Sequence, residues 1–329
     1  MKRIWKDLGI AFVMGMVVPA VLLVSIVSIS GNRQKIPELT EPILEMSETG
    51  SIFENAEQVN ISVLDTDDTV FQLPLNEYLT GVVLAEMPVS FQEEALKAQS
   101  VVARTFTIRA SQNESKHEEA DVCVHSDCCQ AYIRPEHYLA QGGNSESVNR
   151  IYQIVKSTDS EVLTYEGELI EATYFSCSGG YTEDAVAVWG TDIPYLQSVA
   201  SPGEEHATHY TDSVQFTAGE FATLLGVELT GTPASWFADT TYTDGGGVAT
   251  MSIGGASFTG TELRKRLGLR STAFTVLPQG DCIVINTRGF GHRVGMSQYG
   301  ADAMARDGST YRQILNYYYQ GTQLVRYCD

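Results

Sequence analysis

The stretch Asn76–Arg104, NEYLTGVVLAEMPVSFQEEALKAQSVVAR, constrains the fold more than any other, because it reads as two helices joined by a very short link. Tyr78, Val82 and Glu86 recur every four residues, with Leu79 and Val83 beside them. A helix capped by Asn76 would bury that stripe. Pro88 disfavours helical geometry at Met87, so the helix should stop at about Glu86. Glu86 is then the last member of an otherwise apolar stripe. An acid there is partly desolvated, which raises its pKa towards neutrality and suits it to general acid work. The alternative is a carboxylate tied to an arginine in a structural ion pair, since perturbed carboxylates also occur in such networks.

The second helix begins with Ser90-Phe91-Gln92-Glu93, which fits a capping box, and Ala95, Leu96, Ala98, Val102 and Phe106 follow at helical spacing. Lys97 and Arg104 lie seven residues apart and share a face. The Met87–Val89 link should fold this helix back and bring the basic face near Glu86, where a cation would oppose the effect of desolvation.

Met1–Asp7 is mostly basic, and Leu8–Asn32 carries no charge. Such a run can span a bilayer, and its basic flank predicts a cytoplasmic N-terminus with the rest of the chain outside. The reading is a cytoplasmic segment over 1–7, a single-pass anchor over 8–30 and a tether over 31–58, with Pro19 tolerated as a kink. A cleaved signal peptide is the alternative; the run is longer than a signal core, and no clear A-x-A site follows. The net charge of −20 over 329 residues, with no basic patch beyond the first residues, argues against nucleic acid.

Residues 59–329 read as one large domain. Val162–Tyr165 and Leu169–Tyr174 alternate around Glu166-Gly167 as a hairpin. It runs into Phe175-Ser176-Cys177-Ser178-Gly179-Gly180, where paired glycines allow a tight turn. Hydroxyls and N–H groups there suit a sugar; an ordinary turn is the alternative. Residues 205–280 read as an inserted subdomain, with capping boxes at Thr217–Glu220 and Thr259–Glu262 and a Gly245–Gly247 loop between them. Cys282–Thr287 reads as a strand, Gly289-Phe290-Gly291-His292 as a loop and Gln298–Arg306 as a helix; Thr310–Gln313 opens the last helix. The Gly-x-Gly fails as a dinucleotide motif, because its third glycine is misplaced and too little chain follows for a βαβ unit. His292 is a candidate polar site residue, or else a surface histidine.

His117, Cys123, Cys128 and Cys129 fall in a window of thirteen residues that also holds His125. Such a set suits a tetrahedral zinc site, although its spacing is not a standard finger pattern. Disulfides are the alternative in an oxidising compartment, but adjacent Cys128 and Cys129 are poorly placed to bridge each other. A structural metal here would rigidify the loop that delivers Gln130 and Tyr132 beside the helix pair. Cys282 and Cys328 form a plausible disulfide. Cys177 with His292 would make a peptidase dyad only if the two met.

Taken in order, EYLTGVVLAEMPVSFQEEALKAQSVVARTF, CQAY (Cys129–Tyr132), SCSGGYTED (Ser176–Asp184) with VWG (Val188–Gly190), and GHRVGMSQYGADAMA closely resemble the stage II sporulation protein D family. The resemblance covers most of the chain after residue 60. It implies a membrane-anchored, single-pass lytic transglycosylase of the cell wall. Such an enzyme cuts the MurNAc–GlcNAc bond of peptide-free glycan strands to 1,6-anhydroMurNAc ends during forespore engulfment. It places the catalytic acid at Glu86, the glutamate of AEMP, and substrate contacts among Gln99, Arg104, Tyr132, Ser176, Ser178, His292, Gln298 and Tyr299. It also implies stage II sporulation proteins P and M as partners. Many relatives keep only the cysteine of CQAY, so zinc is not essential to the family's chemistry. Arg293 departs from the family's usual glycine after the histidine, so local backbone geometry or charge preference should differ. The expected fold is α+β, with mixed and antiparallel strands and several short helices around a groove. The alternative function is a glycan-binding enhancer of an amidase; a structural scaffold comes third.

Overall fold

The computed structural model describes residues 59–112 and 116–327. Strands β1 (Asn60–Leu64) and β2 (Val70–Pro74) form an antiparallel pair that leads straight into helix α1 (Leu75–Glu86). Pro74 is the residue before the helix and makes no side-chain cap, so Asn76 is not the cap the sequence suggested. Its carboxamide turns inward instead, donating to Asp159 Oδ1 at 3.1 Å. Leu75, Tyr78, Leu79, Val82 and Val83 are fully buried. The helix ends where Pro88 requires: Met87 is extended, at φ −129° and ψ 143°.

Helix α2 (Glu93–Gln112) folds back as expected. The acceptor at its start is not Ser90. Gln92 N–H donates to Asp302 Oδ1 at 2.7 Å, so a carboxylate from far along the chain caps it. Strand β3 (Val122–Cys123) then adds parallel to β1.

After α3 (Pro135–Ala140), helix α4 (Ser145–Ser157), capped by Asn144, packs against both α1 and α2. Strands β4 (Glu161–Tyr165) and β5 (Glu168–Leu169) make a hairpin at the expected turn, but its second strand stops at Leu169 instead of running on to Tyr174. Its turn residues Glu166 and Gly167 both have positive φ, 52° and 90°, as a two-residue hairpin turn demands. Strand β6 (Tyr174–Phe175) and the short helix α5 (Ala185–Trp189) follow.

The next elements bury an apolar cluster of their own. They are β7 (Thr211–Thr217), α6 (Ala218–Leu225), β8 (Phe237–Tyr242), β9 (Val248–Ile253), β10 (Ala256–Thr259), α7 (Gly260–Arg266), β11 (Phe274–Gln279) and β12 (Cys282–Arg288). Phe221, Trp236, Met251, Phe258 and Leu263 meet Ile283 and Ile285 there. Strand β12 therefore packs with these elements, between β11 and β7, although the sequence grouped it with the end of the chain. Both anticipated capping boxes are present, at Thr217–Glu220 and Thr259–Glu262.

Strand β13 (Met296–Ser297) pairs parallel with β6 and passes into α8 (Gln298–Arg306) and α9 (Tyr311–Tyr318), the latter opened by the Thr310–Gln313 box. Strand β14 (Gln323–Arg326) returns to β4. The architecture is thus mixed α+β, as expected.

One expectation is corrected. The single-pass localisation, with a cytoplasmic N-terminus and the body of the chain outside, has no support among the described residues, where no helix is long and apolar enough to cross a membrane. The 8–30 segment on which that reading rested lies outside the described residues, as does Cys328 of the suggested disulfide.

Candidate active site

Glu86 ends α1 half-buried, and its carboxyl is held by neutral donors. Ala131 N–H donates to Oε1 at 2.8 Å, and the Gln298 carboxamide donates to Oε2 at 3.3 Å. Burial raises its pKa above the usual carboxylate range, while the bonds from Ala131 and Gln298 and the nearby Tyr174 hydroxyl work in the other direction. Each partner comes from a different part of the fold. Ala131 lies on the loop after β3, Tyr174 on β6, and Gln298 at the first turn of α8. The β6–β13 register, with Met296 opposite Tyr174 and Ser297 opposite Phe175, sets the last two side by side.

The loop bearing Ala131 is fixed on α1 by close approach. A Cβ on Gly81 would fall on the Tyr132 ring and within 2.7 Å of the Ile133 carbonyl, so only glycine lets the two segments touch. Tyr132 stacks on Tyr78 with centroids 5.4 Å apart and serves as a wedge. Gln130 beside it is buried and accepts from the Tyr174 hydroxyl at 3.1 Å.

His292 lies near the same strand. Its ring sits between Phe175 and Trp189, with centroids 5.8 and 5.5 Å away, and its Nδ1 accepts from Val294 N–H. Burial, with Arg264 nearby, pushes its pKa down to about 4, so it is a neutral imidazole at pH 7. Tyr299 packs edge-on against Phe91 at 4.9 Å and donates its N–H to the Ser176 carbonyl. Thus Glu86, Gln298, Tyr299, Ser176 and His292 are linked through β6 and α8.

Other anticipated contacts are placed elsewhere. Arg104 is fully buried, and its guanidinium donates to the Val155, Thr158 and Glu161 carbonyls at 3.0, 2.8 and 3.2 Å. It caps the C-terminal end of α4, a favourable place for a cation. Lys97 pairs with Glu93 and Glu94. The basic face therefore does not reach Glu86: two residues seven apart share a face, but that face is turned to α4 and β4. Gln99 is fully buried, with neither side-chain atom bonded among the described residues. Ser178 is also fully buried; its hydroxyl and N–H both donate to the Glu204 carboxylate, at 3.0 and 2.6 Å. Cys177 is a buried thiol directed at the His209 carbonyl, with its pKa raised to about 12 by burial, so it makes no dyad with His292.

Arg293 keeps the backbone shape that a glycine would favour, at φ 68°. Its guanidinium meets Glu183 Oε1 at 3.1 Å, with both side chains 1% exposed, and donates to the Tyr181 and Gly245 carbonyls. The charge is spent inside the protein, on Glu183 and on carbonyls that include Gly245 of the loop between β8 and β9.

His117, Cys123, Cys128 and Cys129 bring their donor atoms within 4.8 Å of one another. His117 Nε2 lies 3.5 Å from Cys129 Sγ and 3.7 Å from Cys128 Sγ, and the two sulfurs are 3.9 Å apart. A tetrahedral ion with bonds of about 2.3 Å to sulfur has edges of roughly 3.8 Å, so the set could hold a metal. All three cysteines are free thiols. The lysine before this set braces it, Lys116 Nζ donating to the Cys128 carbonyl at 2.7 Å.

Tyr174 and the Ala131 N–H were not apparent from sequence. Tyr174 reads simply as a strand residue, and a backbone donor has no side-chain signature.

Residues 65–165 match the family model described as Stage II sporulation protein. The chain is 39% identical over 334 residues to Stage II sporulation protein D of Bacillus subtilis (strain 168), covering 98% of this chain and 96% of that protein. The protein of the same name from Bacillus amyloliquefaciens is 40% identical over 81% of this chain and 78% of its own length. A B. subtilis protein named Amidase enhancer is 30% identical over 76% of this chain and 40% of its own length. On this likeness, running nearly end to end, the chain belongs to the stage II sporulation protein D family.

Proposed function

We propose that the protein is a lytic transglycosylase that cuts peptidoglycan glycan strands, with Glu86 as its acid and base. What carries the reading is the setting of Glu86: a half-buried carboxyl with raised pKa, held by neutral donors, and with no carboxylate among the groups that bear on it. A water-using glycosidase works with two carboxyls. A single carboxyl suffices when the nucleophile belongs to the substrate. Glu86 protonates the glycosidic oxygen and then, as carboxylate, takes the proton from the muramyl C6 hydroxyl as that oxygen closes on C1. Ala131 N–H and Gln298 hold the carboxyl for both transfers. Neutral His292, with Tyr299 and Ser176, lines the approach and positions sugar. The sporulation setting follows the name that this family's members carry.

We assign structural zinc to His117, Cys123, Cys128 and Cys129. When bound, zinc would supply a rigid cross-link under the loop that carries Gln130 and Ala131.

The test is product analysis on purified, peptide-free glycan strands by mass spectrometry. Anhydro-muramyl ends are expected; reducing ends would mean hydrolysis and a missed nucleophile. The likeness to a protein named Amidase enhancer supports a second reading, in which the domain stimulates an amidase while binding glycan without cutting it. Strand binding with no cleavage products would favour that reading.

A further inference from the structure

The hydrogen-bond chain behind Glu86 has a fixed direction. The Thr107 hydroxyl donates to the Ala103 carbonyl at 2.7 Å, so its oxygen can only accept from Gln130, whose Nε2 lies 3.0 Å away. That orients the Gln130 amide, leaving Oε1 as the acceptor for the Tyr174 hydroxyl at 3.1 Å. A phenol has one proton. While Tyr174 gives it to Gln130, its oxygen offers only lone pairs on the side of Glu86, which is held by Ala131, next to Gln130, and by Gln298, two residues beyond the strand partner of Tyr174. Only a protonated Glu86 could donate to those lone pairs. Once Glu86 is a carboxylate, the better arrangement has the phenol turned to donate to it, since bonds to an ionised acceptor are about twice as strong.

We propose that Tyr174 is a positioning residue for Glu86. Its hydroxyl donates to Gln130 while Glu86 holds its proton and swings to donate to Glu86 once that proton has gone. No bond to carbon changes in the swing. In the reaction read above, on which the catalytic part of this inference rests, Glu86's proton leaves on the departing glycosidic oxygen. The carboxylate is held by Tyr174 until the C6 hydroxyl returns a proton. The phenol then turns back to Gln130. Besides Tyr174, the groups that face Glu86 are the neutral Ala131 N–H and Gln298 amide. The titratable groups that face Tyr174 are Glu86, Tyr78 and Tyr319.

Two substitutions should act in opposite directions. Tyr174→Phe keeps the ring and removes the donor that stabilises the carboxylate, so Glu86 should titrate at higher pH than in the wild type. Gln130→Met removes the competing acceptor and frees the phenol to donate to Glu86 at all times, so Glu86 should titrate at lower pH. The measurement is a ¹³C NMR titration of the Glu86 carboxyl in the full chain, with its signal assigned by its loss in Glu86→Gln. It needs no substrate, so it stands or falls apart from the reading of the reaction. A rise with Tyr174→Phe together with a fall with Gln130→Met supports the swing; any other pattern overturns it. If glycan is cleaved, Tyr174→Phe should also lower kcat by roughly ten- to a hundredfold while KM stays within about twofold. An equal kcat would overturn the catalytic part.

Discussion

Glu86 is an acid that the fold keeps partly out of water, and this has a consequence for stability. A carboxyl whose pKa is higher folded than unfolded stabilises the protein fully below its unfolded pKa, and that contribution is lost as pH rises through the folded one. Glu86→Gln should therefore raise the Tm at pH 7 and leave it unchanged in acid; equal Tm shifts at both pH values would contradict the desolvated carboxyl. Gln99 is a sharper case, because a buried amide with no partner costs about 1–3 kcal/mol. Gln99→Met, of similar shape, should stabilise the protein by about 1 kcal/mol in urea titration, and a loss of stability would mean that the amide has a partner. Arg293 offsets its left-handed backbone, worth about 1–2 kcal/mol, by pairing with Glu183 in the interior. Arg293→Gly relieves the backbone but strands a buried carboxylate, a loss of about 3–5 kcal/mol. The net result should be destabilisation by about 1–4 kcal/mol, and an unchanged urea midpoint would refute the pairing.

At the level of elements, local signals could be read directly from the chain. The end of α1 at Pro88, the hairpin turn at Glu166-Gly167 and the three capping boxes of α6, α7 and α9 each depend on residues within a few positions of one another. The start of α2 could not be read in this way, because its cap is Asp302. The loop after β3 joins the Cys/His cluster to the surroundings of Glu86. It carries Cys128 and Cys129 at one end, facing His117 and Cys123 from before and within β3, and, two residues beyond Cys129, the N–H that holds Glu86. Removing metal with a chelator should raise hydrogen exchange at Ala131 by at least about tenfold, since a loop released from a cross-link opens more often. Unchanged exchange at Ala131 would mean that docking over Gly81 holds the loop without any ion.

For the molecule as a whole, the site is assembled from segments far apart in sequence, and this limited what could be foreseen. Glu86 was legible because an acid interrupts an apolar stripe. Gln298 and His292 were legible only through motif resemblance, and Tyr174 not at all, since the β6–β13 pairing that seats it is a long-range event. Arg104 and Ser178 were misplaced for the same reason: each lies in a site-bearing segment, but its side chain points into packing. The partly buried His292 adds a whole-molecule pH effect. His292 has its pKa lowered from 6.5 to about 4, so it contributes stability that is present above pH 6.5 and lost as pH falls through about 4. A His292→Phe variant should lose less stability than the wild type over that window in pH-dependent urea titrations, and parallel losses would show that His292 is not the group responsible. The most direct test of the central claim compares wild type and Glu86→Gln on peptide-free glycan strands, following both strand binding and release of anhydro-muramyl ends. Cleavage should fall by roughly 10²–10⁴-fold with binding kept; cleavage at the wild-type rate by Glu86→Gln would contradict the assignment of Glu86 as the acid.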